Sequence, residues 1–245
     1  MIWVGTSGFQ YPEWKGTFYP EKLSTAKMLP YYSGRFSTTE INYSFYRIPS
    51  EKTLTKWFTD TPAEFRFAMK APQEITHARR LRDCAGVLER FCAVLKALGG
   101  KLGPVLFQLP PFQRGDVALL RDFLATLPAE LHSAFEFRHA SWFNDEVYDV
   151  LRSKNAALCV ADTEKLTTPI VATAGFGYFR LRNPAYTKAD IARWAKVVRD
   201  TSERTGHACV YFKHEESGVG PKFARQLLDA LGIAPPRTDE LIPVE

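Results

Sequence analysis

Short apolar runs recur eight times along this 245-residue chain, and most gaps between them carry the pattern of an amphipathic helix. The runs span residues 2–8, 38–42, 66–70, 105–110, 134–138, 157–162, 177–182 and 208–214, and each is rich in Val, Ile, Phe, Tyr or Leu. Runs of that length without strict alternation suit strands buried on both faces. Helix signals fill the gaps. Ser50, Asp83, Asp116, Asn144 and Thr187 stand as N-caps before stretches starting at 51, 84, 117, 145 and 188. The second of these stretches, 84–98, ends at Gly99-Gly100, and the fifth, 188–205, ends at Gly206. Pro221 suits the first position of a last helix that runs to 231 before Gly232. Between 162 and 177, Thr167-Thr168-Pro169 and Ala172-Thr173-Ala174 read as loop.

Strand–helix alternation carried to eight strands predicts an α/β chain closed into a single (β/α)8 TIM-type barrel, and the length fits that architecture. The expected layout is one barrel domain over 1–233 and a Pro-rich tail over 234–245. An open doubly wound sheet is the alternative. Such a sheet usually carries a glycine-rich phosphate loop after its first strand. Here that position reads Thr6-Ser7-Gly8-Phe9, which is neither G-x-G-x-x-G nor a Walker loop.

Composition narrows the class. Apolar residues are 45% and charged residues 24%, an ordinary globular balance. The formal charge of +5 permits an anionic partner without requiring one. Cys84, Cys92, Cys159 and Cys209 form no C-x-x-C pair and read as small hydrophobes in a reducing compartment. The chain opens on a strand pattern rather than a signal peptide, and no apolar run reaches membrane-spanning length. A cytoplasmic location is the expectation.

Barrel active sites form where strands end. The ends of these runs are strongly polar: Ser7, Glu40, Asn42, Lys70, Gln108, Glu136, Arg138, Asp162, Arg180, Arg182, Lys213 and His214. Side chains two apart on a strand share a face, so Glu40 goes with Asn42 and Glu136 with Arg138, toward the barrel axis. Polar strand ends also occur simply to meet water or to pair with one another. A set of three carboxylates and at least four cations is harder to explain that way, because buried charges left unpaired are costly. The adjoining loops add Tyr11, Trp14, Phe18 and Tyr19, then Tyr43, Phe45, Tyr46 and Arg47, then His77, Arg79, Arg80 and Arg82. Aromatic faces beside guanidinium groups stack bases or sugar rings, although a lid that packs on itself has the same composition. Gly218-Val219-Gly220-Pro221 leads into a helix N-terminus, where free N–H groups can hold phosphate. No histidine spacing matches a zinc motif. A hard cation on Glu40, Glu136 and Asp162 stays open from the residues alone, but no cofactor is expected.

These landmarks resemble the YecE-like family, a bacterial domain of unknown function, over nearly the whole chain. The resemblance rests on Gly5-Thr6-Ser7-Gly8-Phe9 with Tyr11, Trp14, Gly16 and Phe18-Tyr19-Pro20, and on Glu40-Ile41-Asn42 with Phe45-Tyr46. It continues through Phe67 and Lys70 with Thr76-His77, Phe107-Gln108-Leu109-Pro110-Pro111, Glu136-Phe137-Arg138 with Ser141-Trp142, and Arg180-Leu181. It implies a TIM-type barrel with a loose likeness to endonuclease and sugar-isomerase barrels, and brings no established reaction. Two places depart from the common family pattern. Arg180-Leu181-Arg182-Asn183 stands where many relatives read Arg-Leu-His-Gly, and Phe212-Lys213-His214 stands where many read Phe-Asn-Asn. Both changes add cationic capacity.

Three functional expectations follow. The first is a phosphate-bearing ligand, nucleic acid or nucleotide, with Lys70, Arg138, Arg180, Arg182 and Lys213 neutralising phosphate. Ser7, Asn42, Tyr46, His77, Gln108 and His214 complete that binding set. The second is a hydrolase or isomerase of a small phosphorylated or sugar substrate, with Glu40, Glu136 and Asp162 as catalytic carboxylates. The third is a binding protein without turnover.

Overall fold

The computed structural model describes residues 1–163, 166–214 and 218–236. The expected tail falls mostly outside them, at 237–245. Eight strands close a parallel barrel: β1 (Ile2–Ser7), β2 (Thr38–Ile41), β3 (Arg66–Lys70), β4 (Leu102–Gln108), β5 (Ser133–Glu136), β6 (Ala157–Thr163), β8 (Phe176–Leu181) and β9 (His207–Phe212). The order runs β1-β2-β3-β4-β5-β6-β8-β9, and β9 pairs back onto β1, so the barrel has no open edge. A two-residue strand, β7 (Leu166–Thr167), folds antiparallel onto the end of β6.

Strand alternation sorts side chains into two cores. The lumen holds Ala68, Leu106, Ala134, Ala157, Cys159, Phe176, Tyr178, Cys209 and Tyr211. Small residues on the middle strands leave room for aromatics from β8 and β9, which makes a packed interior rather than a pore. The opposite parity, including Phe67, Met69, Phe107, Phe135, Phe179, Val210 and Phe212, packs outward against the helices. These are α1 (Met28–Ser33), α2 (Tyr43–Tyr46), α3 (Glu51–Thr59), α4 (Ala85–Leu95), α5 (Val117–Thr126), α6 (Asp145–Ser153), α7 (Lys188–Thr205) and α8 (Val219–Leu231).

Four of the five N-caps read from the sequence form. Ser50, Asp116, Asn144 and Thr187 each accept a backbone N–H three residues on, and Thr187 builds a full capping box with Asp190. Asp83 does not cap α4. The chain turns left-handed at Arg80, Leu81 and Asp83, with φ of 50°, 71° and 50°, and enters the helix from Cys84. The last helix starts earlier than Pro221 suggests, at Val219, with left-handed Gly218 before it. Pro221 still lies in the first turn, where a missing N–H breaks no helical bond. Helices α1 and α2 and a single π-helical turn, Glu74–Ala78, are too short for periodicity to reveal.

Gly5 marks a close approach between β1 and β2. A Cβ there would lie 2.0 Å from the carbonyl oxygen of Thr38, within neighbouring backbone that cannot swing aside. Gly5→Ala is expected to cost about 3 kcal/mol in urea unfolding. A loss below about 1 kcal/mol would mean the strands separate more easily than their pairing implies.

Candidate functional site

The lumen parity continues upward from the apolar core into a polar layer. Ser7 comes from β1, Glu40 from β2, Lys70 from β3, Gln108 from β4, Glu136 from β5 and Arg180 from β8. Arg180 organises it. Its side chain is fully buried, as are Glu40 and Glu136. Its Nε and Nη2 donate to Glu40 Oε1 at 3.1 and 2.8 Å, while Nη1 donates to Glu136 Oε2 and, at 3.3 Å, to Gln108 Oε1. Glu40 accepts two further bonds, from Ser7 Oγ at 2.6 Å and Tyr178 Oη at 2.7 Å. Burial pushes both carboxyls up. The guanidiniums around them outweigh it and hold both below the usual carboxylate range, with Arg180 the main partner in each case.

A second tier rises from the first. Arg138 donates from Nε to Glu136 Oε1 at 2.9 Å and from Nη2 to Gln108 Oε1 at 3.0 Å. Arg182 Nη1 stands 3.5 Å from the same Glu136 oxygen. One carboxylate therefore meets three guanidiniums. Above it lies a cavity of about 850 Å³, whose wall includes Arg138, Thr163, Arg182, Lys213, His214 and Val219. Val219 opens α8, so the free N–H groups of that helix end beside the cavity.

Other expected residues fall elsewhere. Asp162 lies on the outward parity of β6, level with Leu181, and its Oδ2 accepts from Tyr186 Oη at 2.7 Å. It does not join Glu40 and Glu136, whose oxygens are taken up by Arg180 and its neighbours. The three carboxylates thus form no common oxygen cage, and among the described residues no cluster of three or more His, Cys, Asp or Glu could hold a metal ion. His214 Nε2 pairs with the Asn183 carbonyl at 2.7 Å. Lys70 Nζ lies 4.0 Å from the centroid of the Phe45 ring, and His77 packs edge-on against that ring. The Asn42 amide is shielded from solvent with neither its oxygen nor its nitrogen bonded. Tyr46 is largely exposed.

The aromatic first loop is not a lid. Trp14 and Tyr19 are buried, stack on each other and meet Phe18 edge-on, and Phe18 packs against Tyr31, Tyr32 and Phe36 of α1 and the segment after it. Sequence reading overlooked two residues that hold the site. Tyr178 precedes Arg180 by two and so shares its face, which parity alone could reveal. Tyr186 holds Asp162 from a loop, where no sequence signal marks it.

The profile of a family described as "Protein of unknown function DUF72" matches residues 3–243. The UPF0759 protein YunF of Bacillus subtilis is 26% identical over 98% of this chain and 99% of its own length. The UPF0759 protein YecE of Escherichia coli K12 is 29% identical over 58% of this chain and 50% of its own. A DUF72 family protein from Thermotoga maritima MSB8 superposes with a TM-score of 0.83 at 26% identity, covering 95% of this chain and 99% of that one. Another from Enterococcus faecalis V583 gives 0.85 at 20% identity, covering 100% and 99%, and supports the barrel fold alone.

Removing Arg180 leaves the buried Glu40 carboxylate without a guanidinium, while Glu136 keeps Arg138 and Arg182. Arg180→Met is expected to lose about 3–5 kcal/mol at pH 7. In the native protein the depressed carboxyls contribute stability above their unfolded value of about 4.3, and lose it as pH falls through their folded values. In the variant, burial acts on Glu40 with no guanidinium to oppose it, so its protonation relieves the strain and the deficit narrows from pH 7 to pH 5. Denaturant unfolding at both pH values tests this. A variant as stable as the parent at pH 7 contradicts it.

Proposed function

The chain belongs to the DUF72 family, and we propose that its mouth binds a phosphate-bearing ligand, a nucleotide or a nucleic-acid end, through Arg138, Arg182 and Lys213. The observation that carries this is the charge imbalance at the cavity floor. Among the described residues, Glu40 and Glu136 are two carboxylates set against the guanidiniums of Arg180, Arg138 and Arg182. Arg180 is saturated below, whereas Arg138 and Arg182 share one oxygen of Glu136 and keep part of their surface open. A guanidinium fork with donors to spare matches a phosphate oxygen pair.

Position supports the same reading. The cavity wall runs from β5 and β6 round to residues after the seventh and eighth barrel strands and the start of α8. Barrels commonly seat phosphate at that place, where backbone N–H groups add to side-chain charge. Phe112 and Tyr46 are exposed, and Arg80 lies 5.4 Å from the centre of the Phe112 ring. Such surfaces stack bases.

Glu40 and Glu136 suit a fixed counter-charge better than a proton relay. A carboxyl held below its usual range is a poor acid at neutral pH and a weak base. In this reading they orient the arginines.

Calorimetric titration at low salt is expected to show binding of inorganic phosphate and of a nucleoside monophosphate. Arg182→Gln should weaken both by about tenfold or more, the worth of a charge-assisted bond. A short single strand should gain affinity with length and lose it with salt at about 0.7 per phosphate in the logarithmic slope if several phosphates bind. A slope near that of one phosphate points to a mononucleotide. No binding of any of these probes at low salt would overturn the reading.

A further inference from the structure

Lys70 ends β3 on the lumen parity, two residues above Ala68. It is 8% exposed. Among the described residues, no carboxylate, carbonyl or hydroxyl accepts a hydrogen bond from Nζ, whose recorded contact is the Phe45 ring at 4.0 Å. The nearby carboxylates are committed elsewhere: Glu40 to Arg180, Ser7 and Tyr178, and Glu136 to three arginines. Arg180 from β8 and Lys213 after β9 face Lys70 as like charges, while Glu40 from β2 and Glu136 from β5 attract it. His77, in the π-helical turn after β3, packs edge-on against the same Phe45 ring and feels the charges of Lys70 and Arg138.

This is an unusual position for a simple phosphate anchor. An ammonium needs water or acceptors, and here it has an aromatic face and other cations. Burial first, then the repulsion from Arg180, brings the amine down to about 7 against the pull of the two glutamates. About half of it is then neutral at pH 7, and a neutral desolvated lysine amine is a nucleophile toward carbonyl carbon. Arg138 and Arg182 would hold an anionic group nearby.

We propose that Lys70 is a Schiff-base lysine for a small aldehyde or ketone that carries a phosphate, with Arg138 and Arg182 holding the phosphate. The substrate class rests on the anion reading above. The lone pair of Nζ forms the C–N bond as the carbonyl π pair moves to oxygen. That oxygen takes one proton from the nitrogen and one from solvent and leaves as water. A protonated imine remains, with no oxidation or reduction.

Pyridoxal 5′-phosphate with borohydride trapping, read by peptide mass spectrometry, tests this. Lys70 is expected to be reduced onto the probe at least tenfold faster than the exposed lysines. Excess inorganic phosphate should slow it several-fold, and pyridoxal without its phosphate should react at least tenfold more slowly. The rate should rise about tenfold from pH 6 to pH 8 and then level, whereas ordinary lysines keep rising toward about 10.4. Lys70→Arg should abolish the label at this position only. Labelling of Lys70 no faster than exposed lysines overturns the proposal. If inorganic phosphate binds in calorimetry while Lys70 stays unlabelled, the amine assignment fails alone. If Lys70 reacts equally with both probes and phosphate neither binds nor protects, the phosphate-bearing substrate class fails and the reactive amine stands.

Discussion

The upper half of this barrel is arranged around one buried guanidinium. Arg180 sits at 0% exposure between Glu40 on β2 and Glu136 on β5. Burying a lone charge is prohibitive, and burying a pair is tolerable only when every donor and acceptor is used. Arg180 approaches that condition by spanning the lumen with four hydrogen bonds to Glu40, Glu136 and Gln108, while Ser7 and Tyr178 donate to Glu40. The network therefore ties five strands of the barrel wall together by direction as well as by distance, which apolar contacts cannot do.

That constraint shapes what lies above it. Glu136 spends one oxygen on Arg180, and the other is shared by Arg138 and Arg182. Both guanidiniums are held in place yet left short of negative charge. Such a floor offers preorganised cations rather than mobile carboxyl groups. Lys70 belongs to the same layer but to a different regime, since it is shielded and repelled instead of paired.

Much of this was legible in the sequence, for definite reasons. The eight strands stand out because each is a compact apolar run, and parity puts Glu40 and Glu136 toward the barrel axis, where Arg180 meets them. Parity also separates Asp162 from the lumen, because it falls one residue off the face shared by Ala157 and Cys159; a strand-end position alone is a poor guide there. Charge type did not disclose that Lys70 lacks an acceptor, because pairing across a barrel depends on side-chain reach between strands far apart in the chain. The first-loop aromatics were ambiguous for a similar reason. Phe18 and Tyr19 pack against α1, a six-residue helix containing Pro30 that no periodicity marks.

The central claim is that the Arg180 network presents Arg138 and Arg182 to a tetrahedral oxyanion. Crystals soaked with tungstate would locate that anion directly by anomalous scattering. A peak between Arg138 and Arg182, on the cavity wall shared with Lys213, is the expected result. A mouth without a peak while tungstate orders elsewhere on the protein would contradict the account.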